Sequence, residues 1–213
     1  MLFRSRSIRL CNYESAPGYA LPGPGALFDP ISEAYGKSLA AGVSTLDSFL
    51  YGTYKKIDPQ CYFLMLTGTN WASHGYVVNG NYPYPSWQVL QMRNRYASGD
   101  MVATTTNGTP TSSIPAWINS TNNAQLAPAQ PNMPLVATYA FRDGAKWSVF
   151  VVSRKLTNST PVTLRLPFNT IGSGTLHKLT GDPRARNDQG VFNIQETQEP
   201  VTGFSQNYTF SMP

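Results

Sequence analysis

The sequence predicts an α/β region over residues 1–99 followed by an all-β region over residues 100–213. Three observations carry this prediction. A short apolar segment stops at Glu14, a stretch with helical apolar spacing and a continuous apolar run follow it, and short alternating segments separated by turns fill the rest. The apolar pattern of residues 1–99 is typical of βαβ structure, and that of residues 100–213 is typical of an antiparallel β-sandwich.

The first element is a strand over residues 8–14, which ends at the carboxylate Glu14 and is followed at once by Pro17 and Gly18. A carboxylate where a buried strand ends is held rigidly at the mouth of a sheet. α/β barrels keep their catalytic residues at that edge. Glu14 is therefore the first candidate for a catalytic residue.

A helix is predicted next, with Asp29 as N-cap and Pro30 at the first helical position. Apolar residues follow at three-to-four spacing from Ile31 to Tyr54, and the Asp58-Pro59 pair is expected to end the helix. The continuous apolar run at residues 61–66 predicts a strand buried on both faces of a parallel sheet. An aromatic loop over residues 67–85 then leads to a second helix over residues 86–97, stopped by Gly99.

The all-β region is predicted to contain seven short strands separated by turn residues. They cover residues 101–106, 135–141, 146–154, 162–166, 175–179, 191–195 and 208–211. Residues 107–134 are rich in Asn, Thr, Ser and Pro, and we interpret them as a long surface loop. The pattern is that of an antiparallel β-sandwich.

The α/β region is too short for a closed (β/α)8 barrel, which needs about 250 residues. Two parallel strands alone would leave unpaired edges and exposed apolar faces. We therefore predict the last quarter of a barrel, with the missing part upstream in the natural chain or, less simply, supplied by another chain. On this reading the sequence is a fragment cut at both ends.

Composition and charge exclude several partner classes. The net charge of +5 comes from 16 scattered basic and 11 acidic residues, which does not form the basic stripe of a nucleic-acid-binding protein. No apolar stretch reaches the ~20 residues of a membrane span, so no membrane-spanning helix is predicted. Arginines interrupt residues 1–10, so these residues are not predicted to be a signal peptide. Charged residues are only 13%, and such uncharged polar surfaces are common in secreted carbohydrate-active proteins, so we expect an extracellular or periplasmic location.

The two cysteines, Cys11 and Cys61, and the two histidines, His74 and His177, do not have the spacing of a zinc site. No metal or other cofactor is expected. Buried free thiols are the preferred interpretation of the cysteines. A disulfide stays open as the alternative, because both lie in predicted strands that can be neighbours.

Three features carry a resemblance: the Tyr13-Glu14 strand end, the Asn70-Trp71 pair after the next strand, and the all-β region. Together they resemble the C-terminal part of retaining glycoside hydrolases that follow a (β/α)8 barrel with a small β-sandwich. Arabinofuranosidases, β-xylosidases and related endoglycanases share this layout. The resemblance implies that Glu14 is the nucleophile and that Trp71 floors the sugar site. The acid/base Glu of such enzymes has no counterpart in this chain.

A retaining glycosidase uses one carboxylate to attack the anomeric carbon and a second, ~5–5.5 Å away, to protonate the leaving oxygen. Glu14 fits the first role, and its alternative is a salt-bridged or helix-capping side chain. Tyr13 and Tyr19 are candidates to hydrogen-bond this carboxylate or to line the sugar site, with plain packing as their alternative.

Trp71 presents a flat apolar face for the C–H side of a sugar, against the alternative of packing under the loop. His74 is a candidate to hydrogen-bond a sugar hydroxyl, against the alternative of a solvated loop residue. Ser73 and His74 are adjacent, which excludes them as a nucleophile–base pair, and the sequence has no G-x-S-x-G elbow.

Two function hypotheses from different classes follow. The first is a fragment of a retaining glycoside hydrolase acting on plant-type polysaccharide, inactive without its missing carboxylate. The second is a non-catalytic carbohydrate-binding or accessory β-sandwich protein.

Overall fold

A computed structural model describes residues 10–16, 34–66, 72–75, 82–118, 125–170, 173–188, 191–203 and 205–212. Its main helices are α1 (Leu39–Tyr54) and α2 (Pro85–Tyr96). The strands, in chain order, are β1 (Leu10–Ser15), β2 (Ile57–Tyr62), β3 (Leu64–Leu66), β4 (Ala72–His74), β5 (Asp100–Val102), β6 (Thr111–Ile114), β7 (Trp117–Ile118), β8 (Gln125–Ala127), β9 (Gln130–Pro134), β10 (Val136–Asp143), β11 (Lys146–Ser153), β12 (Thr160–Thr170), β13 (Ser173–Lys178), β14 (Asn187–Asp188), β15 (Val191–Phe192), β16 (Thr197–Thr202) and β17 (Ser205–Met212).

The α/β region is built on parallel strands. β1 pairs with β2, and β3 pairs with β4, both in parallel. α1 connects β1 to β2 and therefore runs antiparallel to them, which places its N-terminus at the carboxyl ends of the strands. α2 follows β4 in the same sense, and it ends within one residue of the predicted position.

The first helix differs from the prediction. Residues 29–33 lie outside the described residues, and a helical turn at residues 34–36 is broken before α1 begins at Leu39. Ser38 is the N-cap, and its Oγ accepts a hydrogen bond from Ala41 N at 3.3 Å. The helix ends at Tyr54, because Lys56 turns the chain with a positive φ of 58°, and the Asp58-Pro59 pair lies inside β2 instead.

The strand predicted at residues 61–66 is divided and less buried than expected. Phe63 separates β2 from β3, Cys61 is exposed, and Met65 is 60% exposed. α1 covers one face of β2, where Gln60 Nε2 donates to Phe49 O at 3.0 Å. The exposed Cys61 and Met65 lie on the other face, so the prediction of burial on both faces is wrong for the described residues.

The cysteines are free, but the prediction that they are buried is wrong, since Cys11 and Cys61 are both exposed. They do lie on neighbouring strands. Because Asn12 pairs with Gln60, Cys11 is one residue before and Cys61 one residue after that pair. This two-residue offset gives roughly 8 Å between Cα atoms at ordinary strand spacing, which is beyond the ~7 Å reach of a disulfide.

The β region is antiparallel. β10 lies between β11 and β5, and separate pairs are formed by β12 with β17 and by β13 with β16. The Asp143-Gly144 turn connects β10 to β11, with Asp143 opposite Lys146. β16 was missed by the prediction, and the segment predicted at residues 191–195 is a strand only over Val191–Phe192.

The interpretation of residues 107–134 as a loop is wrong in part. β6 pairs with β9 and β7 pairs with β8, so much of the segment is a two-stranded ribbon. Every residue of β6 is exposed. The ribbon therefore lacks the alternation of apolar and polar residues by which a half-buried strand is recognised in a sequence.

The main core joins the two regions. Leu50 of α1 is fully buried against four side chains of β10 and β11: Tyr139, Phe141, Phe150 and Val152. The rings of Phe141 and Phe150 meet edge to face at 5.8 Å. The helix thus packs on the sheet of the β region with one face and on β2 with another.

Two polar clusters also join the regions. In the first, Asp47 of α1 accepts hydrogen bonds from Arg154 Nε at 2.6 Å and from Tyr139 Oη at 2.7 Å. In the second, Glu196 accepts from Tyr96 Oη at 3.0 Å and from Arg95 Nη1 at 3.1 Å, and it lies 2.8 Å from His177 Nδ1. One helix is thereby fixed at its middle and the other at its C-terminal end.

Of the described helices, none has the length and apolar character to cross a membrane.

Candidate functional site

Glu14 lies at the carboxyl end of β1 and is exposed. Asn12 pairs with Gln60 and Ser15 with Tyr62, so β1 has one more residue than β2 between these pairs. Glu14 and Tyr13 occupy this β-bulge. Bulges redirect side chains and are over-represented next to active sites.

A cavity of about 260 Å³ lies beside this strand end. The end of β1 and residues of α1 line it: Glu14, Ser15, Ala16, Ser44, Thr45, Ser48 and Phe49. The cavity gives the carboxylate access to solvent. Among the described residues no hydrogen bond or ion pair is formed by Glu14, so the salt-bridged alternative has no support there.

The other candidates are placed unequally. Tyr13 is 80% exposed and is not a packing residue among the described elements. Tyr19 and Trp71 lie outside the described residues, as does Asn70. Their roles stay predictions.

His74 lies at the end of β4, in a strand rather than in a loop, and is half-buried. Its ring contacts Trp87 of α2, with 4.8 Å between ring centroids. Burial lowers the pKa of His74, and a hydrogen bond to the Met65 backbone opposes this shift. His74 is therefore a neutral hydrogen-bonding group near pH 7 and not a cation.

Ser73 Oγ lies 2.9 Å from His74 Nδ1, so the two adjacent residues do contact each other. Ser73 is fully buried, however, and its hydroxyl also donates to Met65 O at 3.2 Å. A nucleophile needs access to the substrate. The pair orients His74 and does not form a catalytic serine site.

The structure does not bring all candidates together. Glu14 is on β1 and His74 on β4, with β2 and β3 between them in chain order, and no contact joins the two among the described residues. No carboxylate in the described ranges contacts Glu14. Within those ranges there is also no cluster of three or more His, Cys, Asp or Glu residues that would hold a metal ion.

Sequence reasoning missed that residues 181–188 and 191–195 of the β region reach the α/β region. Leu39 N donates to Ala185 O at 2.9 Å, and Ala40 N donates to Pro183 O at 3.0 Å. These carbonyl groups satisfy donors at the first turn of α1. The Gly181-Asp182-Pro183 turn was visible in the sequence, but no local signal shows which element a turn contacts.

No family model and no curated protein matches the sequence. Solved structures do match the fold. An α-L-arabinofuranosidase from Thermotoga maritima, in complex with arabinose, superposes with a TM-score of 0.68 over 83% of this chain and 36% of its own, at 18% identity. The thermostable GH51 α-L-arabinofuranosidase from Thermotoga petrophila RKU-1 gives 0.70 over 84% and 37%, also at 18% identity.

The chain has the fold of the C-terminal portion of these enzymes. A third structure, described as an arabinofuranosidase, agrees with a TM-score of 0.67 at 18% identity, over 83% of this chain and 37% of its own. The chain thus spans little more than a third of the length of the structures it matches. The resemblance stated from the sequence is confirmed at the level of fold.

Proposed function

We propose that this chain is the C-terminal part of a retaining glycoside hydrolase and that Glu14 is its catalytic nucleophile. The observation that carries the proposal is the exposed carboxylate in a β-bulge at the carboxyl end of a parallel strand, beside a cavity. The fold match to arabinofuranosidases supports it, because those enzymes act on glycosides. In this proposal residues 1–99 are the last quarter of a (β/α)8 barrel and residues 100–213 are a β-sandwich.

The chemistry needs two carboxyl groups. Glu14 attacks the anomeric carbon, the bond from that carbon to the leaving oxygen breaks, and a covalent glycosyl-enzyme forms. A carboxylic acid from an upstream segment of the same natural chain protonates the leaving oxygen. As a carboxylate it then removes a proton from water, which attacks the anomeric carbon, so that the bond to Glu14 breaks and the Glu14 carboxylate is released. The substrate is a polysaccharide or oligosaccharide, and the reaction takes place outside the cell or in the periplasm.

Neutral groups at the ends of the strands are assigned to binding. His74, held by Ser73 and Trp87, accepts or donates one hydrogen bond to a sugar hydroxyl without adding charge. Tyr13 is exposed at the bulge and is available to a sugar in the same place. Trp71 and Tyr19 are proposed as further sugar contacts.

The test uses the full-length protein recovered from the natural gene and a 2-deoxy-2-fluoro glycoside with a dinitrophenolate leaving group. This leaving group departs without protonation, so labelling depends on the nucleophile and not on the acid. Mass spectrometry should find one glycosyl adduct on the peptide that contains Glu14. Glu14→Gln should abolish the adduct and lower turnover by at least about 10³-fold, as expected for loss of a covalent nucleophile.

Glu199→Gln is the matched control, because Glu199 is an exposed carboxylate on β16 and should leave labelling unchanged. An adduct on another carboxylate would contradict the assignment of Glu14. The 213-residue chain alone should not hydrolyse an aryl glycoside. Measurable turnover by this chain would contradict the proposal that its acid/base residue lies in an upstream segment.

The second candidate function is a non-catalytic carbohydrate-binding or accessory protein. The observation that favours it is that no carboxylate in the described part of the chain contacts Glu14. Retention on insoluble polysaccharide, together with no adduct on the full-length protein, would select this alternative.

A further inference from the structure

The β region reaches the edge of the α/β region where the strands end. The N-terminus of α1 lies at this edge, because α1 runs antiparallel to β1 and β2. Its first amide groups donate to the carbonyls of Pro183 and Ala185, and Ser38 forms a β-bridge with Arg186. The segment of residues 183–188 and 191–195, which we call the β14–β15 segment, is therefore at the same edge as the end of β1.

The same segment is anchored beside the end of β4. Asn187 is fully buried, and its Nδ2 donates to Ile194 O at 2.7 Å and to Pro83 O at 3.3 Å. Ile194 N donates in return to Asn187 Oδ1 at 2.8 Å, and Gln88 Nε2 of α2 also donates to Ile194 O at 2.8 Å. These bonds hold the segment in one position relative to α2.

This anchoring presents Phe192 next to Tyr82. The two rings lie 5.3 Å apart between centroids at 71°, and Phe192 remains 41% exposed. Tyr82 O accepts a hydrogen bond from Gly75 N at 2.8 Å, directly after His74. His74 also forms a β-bridge with Pro83, so the backbone of Tyr82 lies beside the end of β4.

We propose that Tyr82 and Phe192 form an aromatic subsite for a neutral sugar residue of a polysaccharide, one that lies beyond the sugar at Glu14. The two nearly perpendicular rings are the walls of a corner, and an aromatic face packs against the apolar C–H side of a sugar. The backbone links between the end of β4 and Tyr82 place the two rings near His74, a proposed sugar contact, and this position argues for a sugar over any other apolar ligand. The proposal rests on the proposed function, and it gives the β region a part in substrate recognition.

The test is affinity electrophoresis of the 213-residue chain in gels that contain soluble linear arabinan or xylan. Phe192→Ala and Tyr82→Ala should each raise the dissociation constant about tenfold, as expected for loss of one stacking surface. Phe192→Trp keeps an aromatic face and should retain binding. Tyr54→Ala is the matched control, because Tyr54 is 59% exposed at the opposite end of α1.

Equal retardation of the wild type and Phe192→Ala, or no retardation of the wild type, would overturn the subsite. A second result would also overturn the subsite. If Phe192→Ala lowers the melting temperature of the full-length protein without changing its polysaccharide affinity, Phe192 is covered by protein there. The outcome is separable from the proposed function. If Glu14 is labelled and Phe192→Ala does not change polysaccharide affinity, only the subsite is rejected. If Phe192→Ala weakens polysaccharide binding and Glu14 is not labelled, only the nucleophile is rejected.

Discussion

The attachment of α1 to the β region through Asp47 can be tested by a single substitution. Asp47→Asn keeps the shape of the side chain but removes its charge and replaces one acceptor with an NH₂ group. In the wild type, Tyr139 Oη lies 2.7 Å from Asp47 Oδ1, and the amide oxygen of the variant can still accept this hydrogen bond. Arg154 Nε lies 2.6 Å from Asp47 Oδ2 in the wild type. In the variant the amide NH₂ group would take the place of Oδ2, so two donors would face each other.

The expected cost follows from these contacts. A hydrogen bond to a charged group contributes about 1.5–3 kcal/mol, and removing one partner of a buried ion pair costs about 3–5 kcal/mol. The side chains of Arg154 and Asp47 are 24% and 16% exposed, so water replaces part of the interaction. We expect Asp47→Asn to lower the free energy of unfolding by about 2 kcal/mol, or the melting temperature by about 4–8 °C for a chain of this size.

Urea denaturation of the wild type, Asp47→Asn, Arg154→Met and the double variant gives the coupling energy between the two side chains. Asp100→Asn is the matched control, because Asp100 is an exposed carboxylate at the start of β5 and should cost less than about 0.5 kcal/mol. A coupling energy below about 0.5 kcal/mol would place the pair among ordinary surface ion pairs. It would refute the reasoning that this cluster fixes α1 on the β region.

Two further predictions concern the packing of the helices and the candidate site. Gly42→Ala should destabilise the chain by about 1 kcal/mol in urea denaturation, because the new Cβ would lie 2.8 Å from Pro85 Cβ. This overpacking outweighs the better helix propensity of alanine. A stabilised variant would contradict the close approach of α1 to α2. Burial lowers the pKa of His74, so its contribution to stability is complete above about pH 6.5 and is lost as the pH falls toward the lowered value. His74→Asn should therefore flatten the change in urea midpoint between pH 7.5 and 5.5, and an unchanged slope would show that His74 does not titrate there.

Local patterns were sufficient for much of the fold. α2 was predictable because its apolar periodicity is bounded by Pro85 and Gly99, and the observed helix differs from the prediction by one residue at each end. The β10–β11 hairpin was predictable because Asp143-Gly144 separates two alternating segments. In both cases the signal is contained in neighbouring residues.

The errors arise where the deciding partner is distant in the sequence. The break before α1 depends on Ser38, whose neighbour across a β-bridge is Arg186. The apolar run at residues 61–66 indicated burial on two faces, yet Cys61 and Met65 on one of these faces are exposed. The segment of residues 107–134, which contains β6 to β9, has too few apolar residues to show a period. A single sequence contains no information on these distant contacts.

The candidate site was predictable as chemistry and not as geometry. The position of Glu14 at a strand end could be inferred from the Pro/Gly loop that follows it. The bulge that contains it depends on the register between β1 and β2, which the residues of β1 alone do not determine. The contact between Phe192 and Tyr82 joins residues more than a hundred positions apart and has no sequence signal at all.

The contacts between the regions give the β region a role in positioning the site. Its residues hold α1 at the N-terminus through Ala185 and at the middle through Arg154, and they hold α2 at its C-terminal end through Glu196. α1 in turn lines the cavity beside Glu14. Because close-packed interiors transmit strain, a substitution that loosens any of these attachments should shift one wall of that cavity. Under the proposed function, substitutions far from Glu14, on the face of the β region that contacts α1, should therefore change sugar binding as well as stability.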